Sequence, residues 1–197
     1  MEPEPRDKTS LFDRTNPGPS SRYWLIFEFL FLVALTGCSP GRKETPQQRS
    51  EQAKALFEKA TKGYISSSEA SDPMKTKLRS EAAFGYEQLA RRYSEQDYWA
   101  AQALRNLGNI RAVEGKLDDA VRNYSAAAEK YPQQRWEALM AWKSAADLLW
   151  EAGRKEEAKG FYRKILVRYD LPEAPQVEKM IVRGSKLRLE DREPPRE

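Results

Sequence analysis

The sequence predicts an all-α fold: a solenoid of about three helical hairpins closed by a C-terminal capping helix. Three observations carry this expectation. The chain repeats itself every 38 residues, with Ala82, Ala120 and Ala158 each followed four positions later by Tyr86, Tyr124 and Tyr162. Seven positions further on stand Tyr93, Tyr131 and Tyr169, with an acid before each Ala (Glu81, Asp119, Glu157) and a base before each second Tyr (Arg92, Lys130, Arg168). Helix punctuation falls between these blocks: Gly115 and Gly153 suit turns, Pro132 ends a helix, and Asp118-Asp119 and Glu156-Glu157 suit the positive ends of helix dipoles. Acids and bases also interleave throughout, as on a solvated helical surface.

In order, helices are expected near 48–65, 73–93, 97–114, 117–131, 135–152, 155–169 and 173–189. The first follows a polar tether over 38–47, which carries Pro40, Gly41 and Pro46. Between the first two helices, Ser66 to Asp72 reads as an unusually long turn, with Asp72-Pro73 as N-cap and first helical residue. The third and fourth helices hold the fullest copy of the repeat: Leu104, Leu107-Gly108, Gly115, Ala120, Tyr124, Ala127 and Pro132. Here Gly108 and Ala120 are small enough for two antiparallel helices to cross closely, and Tyr124 fills the wedge toward the next pair. The fifth and sixth helices repeat the pattern with Ala145-Ala146 in place of Leu-Gly and Asp170 in place of Pro. A last helix after Pro172 carries Val177, Met180, Ile181 and Leu187 for one face, and 190–197 reads as a disordered, charged tail.

The middle copy closely resembles the tetratricopeptide repeat, whose signature runs aromatic or Leu, Leu-Gly, Ala, Phe/Tyr, Ala, Pro. The resemblance covers roughly 48–188 and rests on Ala82, Tyr86, Gly108, Gly115, Ala120, Tyr124, Pro132, Gly153, Ala158 and Tyr162. It implies that the first helix of each hairpin lines a groove for a peptide or partner helix. Carried onto this chain, groove positions fall on Gln102, Arg105, Asn109, Ala112 and Val113, then on Met140, Lys143, Asp147, Trp150 and Glu151. Arg105 and Asn109, one turn apart, resemble part of the carboxylate clamp of chaperone-binding members. Lys143 keeps a base at the next matching position, where Asp147 replaces the Asn. Trp150 is either an apolar anchor in the groove or core. Trp99, Trp136 and Trp142 read as packing between repeats.

A second resemblance lies upstream. Leu35, Thr36, Gly37 and Cys38 follow a short apolar run, Tyr23 to Ala34, and Cys38 is the one cysteine of the chain. The group resembles the lipobox of bacterial lipoproteins. That resemblance implies a signal peptide over 1–37, diacylglycerol on the Cys38 thiol and a fatty acid such as palmitate on its new amine. The apolar run is too short to span a bilayer, which takes about 20 residues. Ser39 after the lipidated cysteine implies sorting to the periplasmic face of the outer membrane. Together the two features resemble the tetratricopeptide lipoprotein of the outer-membrane β-barrel assembly machine and the periplasmic cell-division coordinator that works with Tol–Pal.

Composition narrows the function class. The chain has no histidine, which removes the common general base, and its single cysteine is assigned to lipid. No catalytic residue, metal site or cofactor is expected, and no Gly-rich phosphate loop appears. Past residue 37 there are 30 basic and 25 acidic residues, a net +5 without a concentrated block, so no nucleic-acid partner is expected. These features describe a non-catalytic, lipid-anchored adaptor for an envelope protein or peptide, in outer-membrane protein assembly. An alternative is a scaffold coordinating peptidoglycan synthesis, division or secretion. A third reading, an enzyme or polysaccharide-binding accessory, would need an acidic cleft that the sequence does not advertise.

Overall fold

In the computed structural model, residues 44–192 are described, and all their regular structure is helical. Seven helices follow in order: α1 (Pro46–Glu69), α2 (Asp72–Arg92), α3 (Asp97–Val113), α4 (Leu117–Lys130), α5 (Arg135–Glu151), α6 (Lys155–Tyr169) and α7 (Gln176–Leu189). Each packs on its neighbour in sequence, giving the hairpins α1–α2, α3–α4 and α5–α6 with α7 against α6. The first helices also touch one another, α1 on α3 and α3 on α5, so they form one layer of the molecule.

Local chemistry sets the boundaries. Thr45 and Gln48 form a reciprocal capping box, Gln48 N donating to Thr45 Oγ1 at 3.2 Å and Thr45 N to Gln48 Oε1 at 2.9 Å, and Pro46 occupies the first turn. The helix thus starts inside the expected tether. The long turn expected over 66–72 is instead mostly helix. Ser67 Oγ donates to Tyr64 O at 2.6 Å and Ser68 Oγ to Ile65 O at 2.7 Å, so the hydroxyls bond back within the helix. Only Ala70 and Ser71 connect α1 to α2, and the N-cap is Ser71, one residue before the expected Asp72. Gly115 and Gly153 have φ of +73° and +78°. At Gly115, its N–H reaches Ala112 O and Lys116 N–H reaches Arg111 O; Gly153 and Arg154 repeat this with Trp150 O and Leu149 O. Both are Schellman closures, which favour glycine.

The last helix begins three residues later than expected, because Pro175 sits at its N-cap and disfavours helix before it. Its buried face also differs from the expected one. Glu178, Val182 and Ser185 are buried, with Ile181 and Leu189 packed on the core, while Val177 and Met180 are exposed. The burial follows the i, i+4, i+7 stripe of that face, with Glu178 tolerated because Arg135 pairs with it at 2.5 Å. At the C-terminal end, Asp191 pairs with Lys159 at 3.0 Å, which ties the start of the expected tail to α6. The remainder of that tail lies outside the described residues.

Close crossing depends on small residues, but not everywhere on those expected. A Cβ on Gly108 would lie 2.5 Å from Cε1 of Tyr124, so the tyrosine ring rests on the bare backbone of α3 within its own hairpin. In the first hairpin the contact moves to the second helix, where a Cβ on Gly85 would lie 2.9 Å from Ala60 Cβ. Ala120, Ala127, Ala158, Ala145 and Ala146 are fully buried between helices.

Gly108→Ala should destabilise the fold by about 1–3 kcal/mol, because Tyr124 must leave its seat. Gly160→Ala should instead stabilise it by up to about 1 kcal/mol, since no heavy atom lies within 4 Å of its Cβ position and alanine favours helix. Urea unfolding of the two variants beside the parent would read both signs; equal effects would refute the steric account.

Candidate functional site

The layer of first helices presents one continuous stripe per helix. On α3 the positions Tyr98, Gln102, Arg105, Asn109 and Val113 recur at three- and four-residue steps and are half-buried or exposed. On α5 the matching stripe is Trp136, Met140, Lys143, Asp147 and Glu151. On α1 Lys54, Phe57, Glu58, Thr61, Lys62 and Ile65 occupy the equivalent face, where Phe57, Thr61 and Ile65 help to line a pocket of about 320 Å³.

Behind the stripe stands a row of tyrosines. The Tyr124 hydroxyl donates to Asn109 Oδ1 at 2.8 Å, and the Tyr162 hydroxyl to Asp147 Oδ1 at 2.7 Å. In the first hairpin the Tyr86 hydroxyl meets Thr61 Oγ1 at 2.8 Å, and Asn106 donates to the same hydroxyl at 3.4 Å. Each ring is buried in its hairpin while its hydroxyl reaches back to the first helix. Burial pushes the Tyr124 phenol up to about 12. Burial also raises Tyr162, and the carboxylate of Asp147, which accepts its hydrogen bond, raises it further.

The candidate groove residues are therefore already engaged. Asn109 and Asp147 each hold a tyrosine. Arg105 Nε pairs with Glu137 Oε2 at 2.5 Å across α3 and α5, with both side chains largely buried. Lys143 Nζ pairs with Asp147 Oδ2 at 2.7 Å, one turn along α5. Trp150 is only 8% exposed: it lies edge-on to Tyr162 at 6.1 Å, with Lys155 Nζ and Arg188 Cζ at 4.9 and 4.7 Å from its ring centre. Arg105, Asn109, Lys143 and Asp147 lie on one layer, whereas Trp150 packs beneath it toward α6 and α7.

Other tryptophans divide between surface and core. Trp99 packs on Phe57 at 5.4 Å, a contact between hairpins as expected, whereas the buried Trp142 lies edge-on to Tyr169 at 6.2 Å within its own hairpin. Trp136, expected as packing, is instead 44% exposed at the start of α5, and Tyr98 at the equivalent place on α3 is 53% exposed. Sequence reasoning also missed Glu137, the partner of Arg105. The signals were present: Tyr98 and Trp136 share the 38-residue register, and each opens a stripe four residues before Gln102 and Met140.

Cys38 and the group Leu35, Thr36 and Gly37 lie outside the described residues. Among the described residues no cluster of carboxylates could hold a metal ion, and no helix is long and apolar enough to cross a membrane. What the geometry provides is a surface of first helices, hydrogen-bonded to a tyrosine row beneath and mixed in polarity above. No family model matches the chain, and neither does any curated protein or solved structure.

Because the phenols are raised in the fold, their contribution to stability is complete below the unfolded value near 10.0 and is lost as pH rises through about 12. Unfolding midpoints in urea should therefore fall steeply over that window, with Tyr absorbance changing alongside. Asp147→Asn should bring the Tyr162 titration to lower pH, because the neutral amide no longer favours the protonated phenol. A flat stability profile from pH 10 to 12 would remove the tyrosine row from the account.

Proposed function

We propose that this chain is a non-catalytic, lipid-anchored adaptor of the bacterial cell envelope, built as a tetratricopeptide-type solenoid. The observation that carries the reading is the hairpin register. Three tyrosines 38 residues apart each lock a second helix to its first, and the first helices turn one shared face outward. A layer of this kind suits the holding of a peptide or partner helix, and function in such a fold resides on its surface. The lipobox resemblance at Leu35 to Cys38 supplies the anchor, and Ser39 supplies the outer-membrane address. Two or three acyl chains would exceed the marginal binding of one, at about 0.8 kcal/mol for each buried methylene. Within the envelope, the reading places the adaptor in outer-membrane protein assembly.

One observation favours the scaffold alternative. Between α1 and α2 lies a second groove of about 610 Å³, lined by Leu56, Ala60, Gly63 and the exposed Phe84. It belongs to the longest hairpin and is separate from the first-helix stripes, so a scaffold could use two surfaces at once.

Crosslinking in cells followed by mass spectrometry, with Cys38→Ala in parallel, tests the reading. The parent should fractionate with membranes and crosslink to barrel-assembly proteins, and Cys38→Ala should shift to the soluble fraction and lose them. Division or peptidoglycan proteins in their place would favour the scaffold. A Cys38→Ala protein with unchanged fractionation and partners would overturn the anchor.

A further inference from the structure

We infer that the first-helix face takes an uncharged, apolar segment of another protein rather than a carboxylate-bearing one. The inference rests on the adaptor reading above and names its partner class. It follows from where the charges of this face are spent. The stripes of α1, α3 and α5 carry four cations, Lys54, Lys62, Arg105 and Lys143, and three anions, Glu58, Asp147 and Glu151, with the buried Glu137 beside them as a fourth. Three of the cations are already paired within the face: Lys54 with Glu58 at 3.8 Å, Arg105 with Glu137 at 2.5 Å and Lys143 with Asp147 at 2.7 Å. Lys62 and Glu151 remain at opposite ends and cancel in sign.

A partner carboxylate seeking Arg105 would have to displace Glu137, which is buried and sits in the first turn of α5 beside the positive end of its dipole. Leaving that carboxylate unpaired and buried would oppose the exchange. What the face offers without such a penalty is apolar area. Tyr98, Val113, Trp136 and Ile65 are all substantially exposed, and Tyr98 continues through Trp99 into Phe57 by ring contacts of 4.8 and 5.4 Å. Tyr98 and Trp136 open successive stripes at equivalent positions, so two exposed aromatic side chains stand one repeat apart. Complementarity then asks for a neutral segment with apolar side chains. A second copy of this chain is a poorer fit, because its own surface is dense in charge: charged residues make up 32% of the sequence.

The test uses the full chain carrying Cys38→Ser, so that no acyl chain contributes, against two arrays of synthetic peptides. One array places Leu, Ile or Phe among Ser, Asn and Gln with amidated ends. Its twin has Asp and Glu at the polar positions and a free C-terminal carboxylate. The uncharged array should contain the binders, about tenfold or more tighter than their acidic twins, with little change up to about 0.5 M salt. The double variant Tyr98→Ala, Trp136→Ala should weaken them at least about tenfold while circular dichroism stays unchanged, as both side chains are exposed. Tighter, salt-sensitive binding of the acidic twins, lost in Arg105→Ala, would overturn this inference and leave the adaptor reading standing. Binding by neither array would overturn both. So would self-association in sedimentation that Tyr98→Ala, Trp136→Ala abolishes, since the face would then be covered by a second copy.

Discussion

The rest of the structure depends on how a tyrosine seats against the first helix of its own hairpin. An antiparallel pair of helices can slide and rotate if it is held only by aliphatic contacts. Tyr124 removes that freedom in two ways: its ring lies on the bare backbone at Gly108, and its hydroxyl is held by Asn109, one residue further along. A rotation of α3 would drive a neighbouring side chain into the ring, and a slide would strand a buried hydroxyl without an acceptor, which costs about 1–3 kcal/mol. Tyr162 and Asp147 repeat the hydroxyl bond, with Ala146 where Gly108 stands, and Tyr86 and Thr61 adapt it. The second tyrosine of each repeat then reaches backward along the chain. Tyr93 donates to Gln52 and Tyr169 to Arg135 O within their own hairpins, while Tyr131 donates to Ser94 O and ties the second hairpin to the link that precedes it.

Much of this was legible in the sequence because it is periodic. The spacing of Ala, Tyr and Gly over 38 residues located six of the seven helices to within a few residues, and the glycines marked both Schellman turns. The first hairpin was harder because it breaks the period. Tyr86 finds its partner 25 residues back at Thr61, where Tyr124 and Tyr162 find theirs 15 back. The extra residues include a serine run that reads as a turn by composition. It is helix because its hydroxyls satisfy themselves on backbone carbonyls and Ser67 is buried. Serine competes with helical hydrogen bonding in isolation, and tertiary burial decided the contest. The same limit applies to α7, where apolar composition marked one stripe and packing buried another that includes an ion-paired glutamate.

The candidate site was legible by position and not by availability. Helical phase placed Arg105, Asn109, Lys143 and Asp147 on a common face, which is where they are. Phase says nothing of what a side chain is already holding. Asn109 is committed to Tyr124, and Arg105 to a glutamate 32 residues later that arrives only when α5 packs on α3. Polar residues that resemble a recognition clamp in one dimension also hold intramolecular partners in three.

That double use ties successive helices of the face together. Arg49 bonds Glu95 ahead of α3, Arg105 bonds Glu137 at the start of α5, and Arg135 bonds Glu178 at the start of α7. In each case an arginine of one first-layer helix grips a carboxylate at or just before the N-terminus of the next. The carboxylate also complements the helix dipole there. Ion pairs at the surface contribute little, but Glu137 and Glu178 are buried, where geometry is strongly specified and loss of a partner is costly. The pairs therefore fix the angle between successive helices more than they add net stability. A surface whose charges set its own shape has few left for a partner. On the adaptor function proposed above, the free energy of recognition would come from the aromatic and aliphatic side chains of the face.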